Sequence, residues 1–241
     1  MNLCLDIGNT QLKIGYYNKE GKLQELLKVT HWKAAHLETK IKNWGIKKAI
    51  VSSVQVEDEQ LMAFLKEQLE EVYVLSTHLK LPITIDYATP TTLGNDRLAV
   101  AVAAASLYPQ QAALVVDAGT CITYDFVTAE GHYLGGSILP GIDMRFRAMH
   151  EFTAKLPLAE RAQLSTFIGN TTQTSLQTGV LYGVLYELEG FAAQYHQQFG
   201  PIVVLVTGGS LPHFESQLKS KIFALPNLVL DGLNAILEYQ Q

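Results

Sequence analysis

Two segments of this chain carry the same short pattern, and that repeat constrains the fold more than any other feature. Residues 6–10 (DIGNT) and 117–120 (DAGT) each lie between two apolar, strand-like runs, and they start nearly half the chain apart. Gly and Asn tolerate the positive φ angles of tight hairpin turns. The repeat therefore predicts two similar halves, 1–110 and 111–241, each of which opens with a β-hairpin. Two unrelated hairpin turns are the alternative, because Asp, Gly, Asn and Thr are common turn residues.

The residue types in these turns suit a phosphate group. A glycine turn lets backbone N–H groups approach an anion closely, and a threonine hydroxyl adds a donor. Lys13 follows the first turn and could reach a phosphate as a point charge. Asp6, at a strand end, could hold Mg²⁺ through water, because Mg²⁺ prefers oxygen ligands and keeps most of its hydration shell.

The remaining periodicity predicts alternating strands and helices. The predicted elements follow in chain order: strands at 2–7, 11–17 and 46–54, a helix at 57–71, a strand at 72–75, a helix at 94–107, strands at 112–117 and 121–127, a strand from 132 that gives way to a loop at 135–141, a helix at 175–198, a strand at 202–206 and a closing helix at 230–240. The first half of the helix at 175–198 is apolar around most of its circumference. It predicts either a dimer interface or buried core.

Composition excludes several classes of protein. Hydrophobic residues make up 48% of the 241 residues and charged residues 17%, which excludes a disordered chain or a coiled coil. The formal net charge is −5 and the basic residues are scattered, so nucleic acid is not an expected partner. The first ten residues lack the features of a signal peptide, and the longest apolar run, 98–108, is too short for a membrane span. We expect a cytoplasmic protein with no membrane partner, in which Cys4 and Cys121 are buried, reduced thiols.

The common nucleotide and hydrolase motifs are missing from the sequence. Residues 15–23 approach a P-loop but have one residue too many between the glycines and a Leu where Ser or Thr must bind magnesium. No GxGxxG, GxSxG or HExxH pattern occurs, and the seven histidines show no metal-ligand spacing.

A third group of residues lies between the two hairpins. Tyr87 and Pro90 precede Leu93-Gly94-Asn95-Asp96-Arg97, which opens an alanine-rich helix. An Asp in the first turn of a helix is favourable for the helix dipole alone. The same Asp–Arg pair is also what a site for hydroxyl phosphorylation needs, with Asp accepting the proton and Arg binding an anionic substrate.

Four ordered segments resemble the type III pantothenate kinases. They are DIGNTQLK at 6–13, LGNDR at 93–97, DAGTCITYD at 117–125 and GGSILPG at 135–141, and TGG at 207–209 and DGL at 231–233 extend the resemblance over the chain. This family belongs to the actin-like, sugar-kinase and Hsp70-like ATPases. The resemblance implies an α/β fold of two similar lobes, each with a mixed β-sheet flanked by helices (ribonuclease H-like), and an active site in the cleft between them.

The resemblance also implies an activity and a set of site residues. The activity is ATP-dependent phosphorylation of the 4′-hydroxyl of pantothenate, the first step towards coenzyme A. Asp96 would be the proton acceptor. The implied ATP-binding residues are Asp6, Ile7, Gly8, Asn9, Thr10, Gln11, Leu12, Lys13 and Thr120, with Asp6 near magnesium. The implied pantothenate-binding residues are Tyr87, Gly94, Asn95, Asp96, Arg97 and Thr172, where Thr171 is an alternative to Thr172.

The family further implies cations and a partner subunit. Asp117 would bind an activating monovalent cation, K⁺ or NH₄⁺, and the protein would be a homodimer whose substrate pocket is closed by the other subunit. Cys121 departs from the family pattern, which has Ala there. Two alternatives remain: a catalytically silent regulator on the same scaffold, and a phosphohydrolase such as an exopolyphosphatase. The acidic and basic site residues argue against the first, and the missing basic channel argues against the second.

Overall fold

A computed structural model describes residues 1–8, 11–53, 58–210 and 222–240, and it divides into two compact units. Unit 1 comprises Met1–Pro109, Gly131–Tyr133 and Asn227–Gln241, and unit 2 comprises Gln110–Glu130 and Leu134–Pro226. The sequence-based division at residue 110 differs from this grouping at 131–133 and 227–241. The contacts of the C-terminal helix, described below, account for the larger difference.

Unit 1 is built on a mixed five-stranded sheet with the order β3-β2-β1-β4-β5. Its strands are β1 (Asn2–Ile7), β2 (Leu12–Tyr17), β3 (Leu23–Val29), β4 (Lys48–Ser53) and β5 (Glu71–Val74). β1 pairs antiparallel with β2, as the first hairpin predicts, and parallel with β4. Parallel neighbours need crossover connections, and α1 (Ala34–Trp44) and α2 (Glu59–Gln68) supply them.

The two faces of this sheet bury different side chains. Leu3 and Leu5 share one face with Val51 and pack with α1 and α2 in an apolar core. Cys4 and Asp6 alternate to the other face. On that side, α6 (Leu228–Tyr239) contacts β1, β2 and β4 and packs along α3 (Asn95–Leu107). The predicted closing helix is therefore part of unit 1.

The second sheet has the order β11-β10-β7-β8-β9-β6. Its strands are β6 (Thr84–Ile85), β7 (Ala112–Ala118), β8 (Cys121–Val127), β9 (His132–Pro140), β10 (Ile202–Thr207) and β11 (Ile222–Ala224). β6 and the first two residues of β9 belong to unit 1, and the rest belongs to unit 2. β7 pairs antiparallel with β8 and parallel with β10, so this sheet is also mixed.

Two helices of unit 2 pack with this sheet. They are α4 (Ile142–Glu151) and α5 (Thr172–Phe199). Apolar side chains of β7, β8 and β10 form one core with Val180, Val184 and Leu188 of α5. The predicted fold class, two mixed sheets flanked by helices, is confirmed.

Two details predicted from the sequence are wrong. Residues 135–141 were predicted as a loop, but β9 continues to Pro140. The absence of a side chain at Gly136 explains this, since a Cβ there would lie 1.6 Å from the Tyr124 carbonyl oxygen of β8. Cys121 is only partly buried because it opens β8 directly after a turn, whereas Cys4 is buried as predicted, and both thiols are free.

Among the described helices, none is both long enough and apolar enough to cross a membrane. A 3₁₀ helix at Pro90–Thr92 precedes α3. The helices predicted at 57–71, 94–107, 175–198 and 230–240 all occur, with ends shifted by a few residues.

The contact between α3 and α6 generates a stability prediction. A Cβ on Gly232 of α6 would lie 1.9 Å from the carbonyl oxygen of Ala99 in α3, so the two helices would have to separate. We expect Gly232→Ala to lower the free energy of unfolding by about 1–3 kcal/mol, as overpacking does, although alanine is the better helix former. Chemical denaturation followed by circular dichroism measures the change.

Gly190 in α5 provides the matched control. A Cβ there would meet no atom within 4 Å. Gly190→Ala should therefore raise the free energy of unfolding by about 0.5–1 kcal/mol, the ordinary helix effect. An equal change in the free energy of unfolding of both variants would contradict the proposed close contact between α3 and α6 at Gly232.

Candidate active site

The first hairpin places a carboxylate and an ammonium group side by side at the end of β1. Asp6 and Lys13 are cross-strand partners, and Lys13 Nζ lies 3.7 Å from Asp6 Oδ2. The backbone N–H of Gly8 donates to the Gln11 carbonyl oxygen at 3.1 Å, which closes the turn. The predicted ATP-binding residues Asn9 and Thr10 lie outside the described residues.

The electrostatics of Asp6 are dominated by burial. Asp6 as a whole residue is only 7% exposed. Burial raises the pKa of the Asp6 carboxyl, Lys13 opposes that shift, and the nearby Asp96 carboxylate adds to it. An ionised Asp6 at this position therefore calls for positive charge beyond what Lys13 alone supplies.

Asp96 is presented by the first turn of α3. Gly94 is the N-cap residue, and the Asp96 Oδ1 atom accepts a hydrogen bond from the Arg97 N–H at 2.9 Å. A Cβ on Gly94 would lie 2.6 Å from that same oxygen, so glycine makes room for the carboxylate. The Asn95 side chain donates to the Ser53 carbonyl oxygen at 3.3 Å, which attaches the start of α3 to the end of β4.

Arg97 follows as a buried cation beside an aromatic ring. The residue is 5% exposed, and its guanidinium carbon lies 5.8 Å from the centroid of the Tyr87 ring. Tyr87 in turn contacts Tyr133, with ring centroids 6.1 Å apart. A planar guanidinium held in this way can bind a carboxylate through two parallel hydrogen bonds.

Unit 1 thus brings together most of the site residues that the sequence predicts there. Asp6 and Lys13 come from the hairpin, and Asp96 and Arg97 come from the start of α3. Tyr133 is a neighbour of this group that the sequence analysis missed. Its proximity to Tyr87 depends on the pairing of β6 with β9, and no local sequence pattern indicates that pairing.

The second hairpin, in unit 2, is held by glycines from two other segments. A Cβ on Gly208, which has φ +95°, would lie 2.5 Å from Asp117 Oδ1. The Gly141 N–H donates to the Thr120 carbonyl oxygen at 3.1 Å, and a Cβ on Gly141 would lie 2.3 Å from that oxygen. The TGG and GGSILPG segments therefore act as close backbone supports of the DAGT turn. The sequence analysis gave these two segments only as parts of the family resemblance and did not predict this role.

The start of α5 lines an open cavity of about 700 Å³ in unit 2. Thr171 is the N-cap residue, and its hydroxyl accepts from the Thr174 N–H at 3.1 Å. Thr172 is the first helical residue, is exposed and also lines the cavity. The Thr171 hydroxyl already takes part in the helix cap. Thr172 is therefore the residue to test first for a contact with pantothenate.

The described part of the chain contains no cluster of three or more His, Cys, Asp or Glu side chains placed to ligate a metal. Mg²⁺ in nucleotide sites is bound through one or two carboxylates, waters and the phosphates themselves. Asp6 could supply one such carboxylate. The residue that the sequence analysis names for a monovalent cation is Asp117, whose carboxylate lies close against the backbone of Gly208.

Solved structures with a similar fold support the two-sheet architecture. A conserved Baf family protein from Campylobacter jejuni aligns with a TM-score of 0.61 at 22% identity, over 98% of each chain. A glucokinase from an Antarctic psychrotroph aligns with a TM-score of 0.55 at 13% identity, over 99% of this chain and 98% of that one. At these identities the comparison shows the fold alone, two mixed β-sheets flanked by helices.

Sequence comparison gives the family. The profile described as type III pantothenate kinase matches residues 2–194. A type III pantothenate kinase of Bacteroides fragilis is 40% identical over 239 residues, which cover 99% of this chain and 98% of the relative. The corresponding protein of Cytophaga hutchinsonii is 40% identical over 241 residues, 99% of each chain. This chain therefore belongs to the type III pantothenate kinase family.

Proposed function

We propose that this chain transfers the γ-phosphoryl group of ATP to the 4′-hydroxyl of pantothenate, the first step of coenzyme A biosynthesis. Family membership over nearly the full length supports the reaction. The observation that carries the proposal for this chain is the group in unit 1, in which the Asp6–Lys13 pair lies near Asp96 and Arg97. Because ATP is an intracellular substrate, we place the enzyme in the cytoplasm.

Asp96 is the proton acceptor in this proposal. A primary alcohol is a weak nucleophile, and in a loose phosphoryl-transfer transition state the enzyme mainly positions groups and disperses charge. The backbone hydrogen bond from Arg97 occupies Oδ1 of Asp96. The second carboxylate oxygen, Oδ2, would orient the hydroxyl and receive its proton.

The hairpin residues from Asp6 to Lys13, together with Thr120, bind ATP in the proposal. Lys13 would contact the phosphates, and Asp6 would hold Mg²⁺ through water. The burial of Asp6 and the upward shift of its pKa favour this, because a carboxylate in such a place is stabilised by added positive charge. When bound, Mg²⁺ neutralises charge on the phosphates.

Pantothenate carries a carboxylate, and Arg97 is the group in unit 1 that suits it. The guanidinium beside Tyr87 would bind the carboxylate in bidentate fashion. Gly94 and Asn95 would contribute backbone and amide contacts at the start of α3, and Thr172 keeps the substrate-binding role that the resemblance implies.

Asp117 is the proposed ligand of K⁺ or NH₄⁺. ATP with one Mg²⁺ keeps net negative charge, and a carboxylate near phosphate oxygens is repelled unless a cation separates them. The close fit of Gly208 against the Asp117 carboxylate fixes the position of that carboxylate. A cation bound there supplies the missing charge.

One assay separates this proposal from its competitors. The protein is incubated with ATP, Mg²⁺ and K⁺, with and without pantothenate, and ADP is measured. Pantothenate-dependent ADP release supports the kinase. Release without pantothenate indicates a phosphohydrolase, and no release in either case indicates a catalytically silent regulator.

The exposed face of α5 supports the proposed homodimer. Tyr186 is 59% exposed and Phe167 64% exposed, and Tyr182 lies between them, with ring centroids 6.0 and 6.4 Å away, respectively. A Cβ on Gly183 would meet nothing within 4 Å, so this face has room for a closely packed helix. The opposite face of α5 is buried in the core of unit 2.

The first prediction of this section concerns Asp96→Asn. The amide keeps the shape and the oxygen that accepts from Arg97, but it cannot take the proton. We expect kcat to fall roughly 10²–10⁴-fold, the usual contribution of general acid–base catalysis, with ATP affinity and thermal stability close to the parent. Steady-state kinetics measures the loss.

Arg97→Lys serves as the comparison for Asp96→Asn. Lysine keeps the charge but loses the planar fork, so the KM for pantothenate should rise more than kcat falls. If Asp96→Asn turns over within about threefold of the parent, far short of a general base's contribution, Asp96 is only a residue that stabilises the start of α3.

The second prediction is a requirement for a monovalent cation. Activity should be high in KCl or NH₄Cl and low in NaCl or Tris-HCl of equal ionic strength. Asp117→Asn should weaken this dependence and raise the KM for ATP. Equal activity of the parent in K⁺ and Na⁺ would show that Asp117 has another role.

The third prediction tests the homodimer. We expect the parent to be a dimer by light scattering at micromolar concentration. Tyr186→Glu, which places a charge in the proposed interface, should raise the dimer dissociation constant at least about tenfold. The control is Tyr239→Glu on α6, where the tyrosine is 50% exposed. A monomeric parent, or dissociation by both variants alike, would contradict the assignment.

A further inference from the structure

Ser52 is a fully buried serine beside Asp6. It lies on β4 and is the direct partner of Asp6 in the parallel register of β1 and β4. Paired residues of neighbouring strands point to the same face of a sheet. Ser52 therefore shares the face of Asp6, and it is 0% exposed.

The hydroxyl group of Ser52 has no hydrogen-bond partner within residues 1–8, 11–53, 58–210 and 222–240. Buried polar side chains in native proteins are normally hydrogen-bonded, and each exception calls for an explanation. An alanine would occupy the same position without the desolvation cost of a hydroxyl. The packing of the described residues therefore gives no reason for a serine here.

The neighbouring groups show what the hydroxyl could serve. The carboxylate of Asp6 is 3.7 Å from Lys13 Nζ, and Asp96 is close enough to raise its pKa. The next residue of β4, Ser53, accepts the side-chain hydrogen bond of Asn95. The end of β4 thus lies between the strand that carries Asp6 and the helix turn that carries Asp96.

The proposed function changes the surroundings of Asp6. In the proposed function Lys13 contacts the ATP phosphates, which would draw its ammonium group away from Asp6. As Lys13 turns to the phosphates, one carboxylate oxygen of Asp6 loses its nearest donor. A side-chain rotation would direct the Ser52 hydroxyl towards its direct strand partner.

We propose that Ser52 is a positioning residue that donates a hydrogen bond to the Asp6 carboxylate when MgATP binds and Lys13 moves to the phosphates. The bond holds Asp6 in the orientation that receives a Mg²⁺-bound water. This inference rests on the proposed role of Asp6 and Lys13. It concerns binding of MgATP and not the proton transfer at Asp96.

The experiment compares Ser52→Ala with the parent in three measurements: the unfolding midpoint without ligand, the rise of that midpoint with MgATP, and kcat/KM for MgATP. Without ligand, the midpoint should stay the same or rise, because an unsatisfied buried hydroxyl is removed. kcat/KM for MgATP should fall about tenfold or more, as for a lost hydrogen bond to a charged group. The KM for pantothenate should stay within twofold.

The thermal shift gives a readout that does not need turnover. A tenfold weaker affinity lowers the MgATP-induced rise of the midpoint by about 3–5 °C for a protein of this size. Ser52→Cys is the second variant, because a thiol has similar volume but is a weak donor. It should show the same loss of MgATP affinity as Ser52→Ala. It also provides the test if the alanine variant folds poorly.

Tyr124→Phe in unit 2 is the matched control. Tyr124 is 0% exposed, and its hydroxyl is the other buried hydroxyl without a partner among the described residues. Its removal should leave the MgATP-induced shift and kcat/KM at parental values. A similar loss in Tyr124→Phe would overturn the specific role of Ser52.

Two further results would overturn the proposal. One is a parental MgATP shift and kcat/KM in both Ser52 variants. The other is a lower ligand-free midpoint in both, which would show that the hydroxyl already has a structural partner. Failure of the proposed function would be seen separately, because the parent itself would then release no ADP with pantothenate. The MgATP-induced rise of the unfolding midpoint would still decide the role of Ser52.

Discussion

The burial of the Asp6 carboxylate is the constraint on which the rest of unit 1 depends. Asp6 is 7% exposed, and a buried carboxylate is ionised only at a free-energy cost unless positive charge lies near it. The antiparallel hairpin meets part of that need, because its register places Lys13 directly across from Asp6. The start of α3 acts in the opposite direction by bringing Asp96 close. In the proposed function, the divalent cation of MgATP would offset this negative charge.

Close backbone approach is the corresponding constraint in unit 2. Gly141 and Gly208 contact the DAGT turn at distances that no Cβ would permit. Gly136 does the same for the pairing of β9 with β8, where glycine lets a strand continue that the sequence predicts as loop. Glycines of the TGG and GGSILPG segments therefore hold the backbone of a neighbouring strand or turn. Gly208 constrains Asp117, and Gly141 constrains Thr120.

The sequence predicts well what depends on local periodicity. The two hairpins and the long helices follow from alternating or helical apolar patterns, and the proximity of Asp6 and Lys13 follows from the register of a single hairpin. Contacts between distant segments could not be predicted in this way. The packing of α6 against α3 depends on Gly232 and Ala99, and the ring contact of Tyr87 with Tyr133 depends on a two-residue strand. Ser52 gave no signal in the sequence, because only the pairing of β4 with β1 brings it beside Asp6.

Stability and substrate binding are coupled in unit 1 by these buried polar groups. Asp6 buries a carboxylate and Ser52 buries a hydroxyl, so both lower the stability of the fold relative to apolar side chains of similar size. In the proposed function, the Mg²⁺ that accompanies ATP would place positive charge beside Asp6. Any ligand that binds only the folded state raises its stability by mass action. The buried side chains of Asp6 and Ser52, which lower the stability of the fold without ligand, would therefore make its stability respond strongly to MgATP.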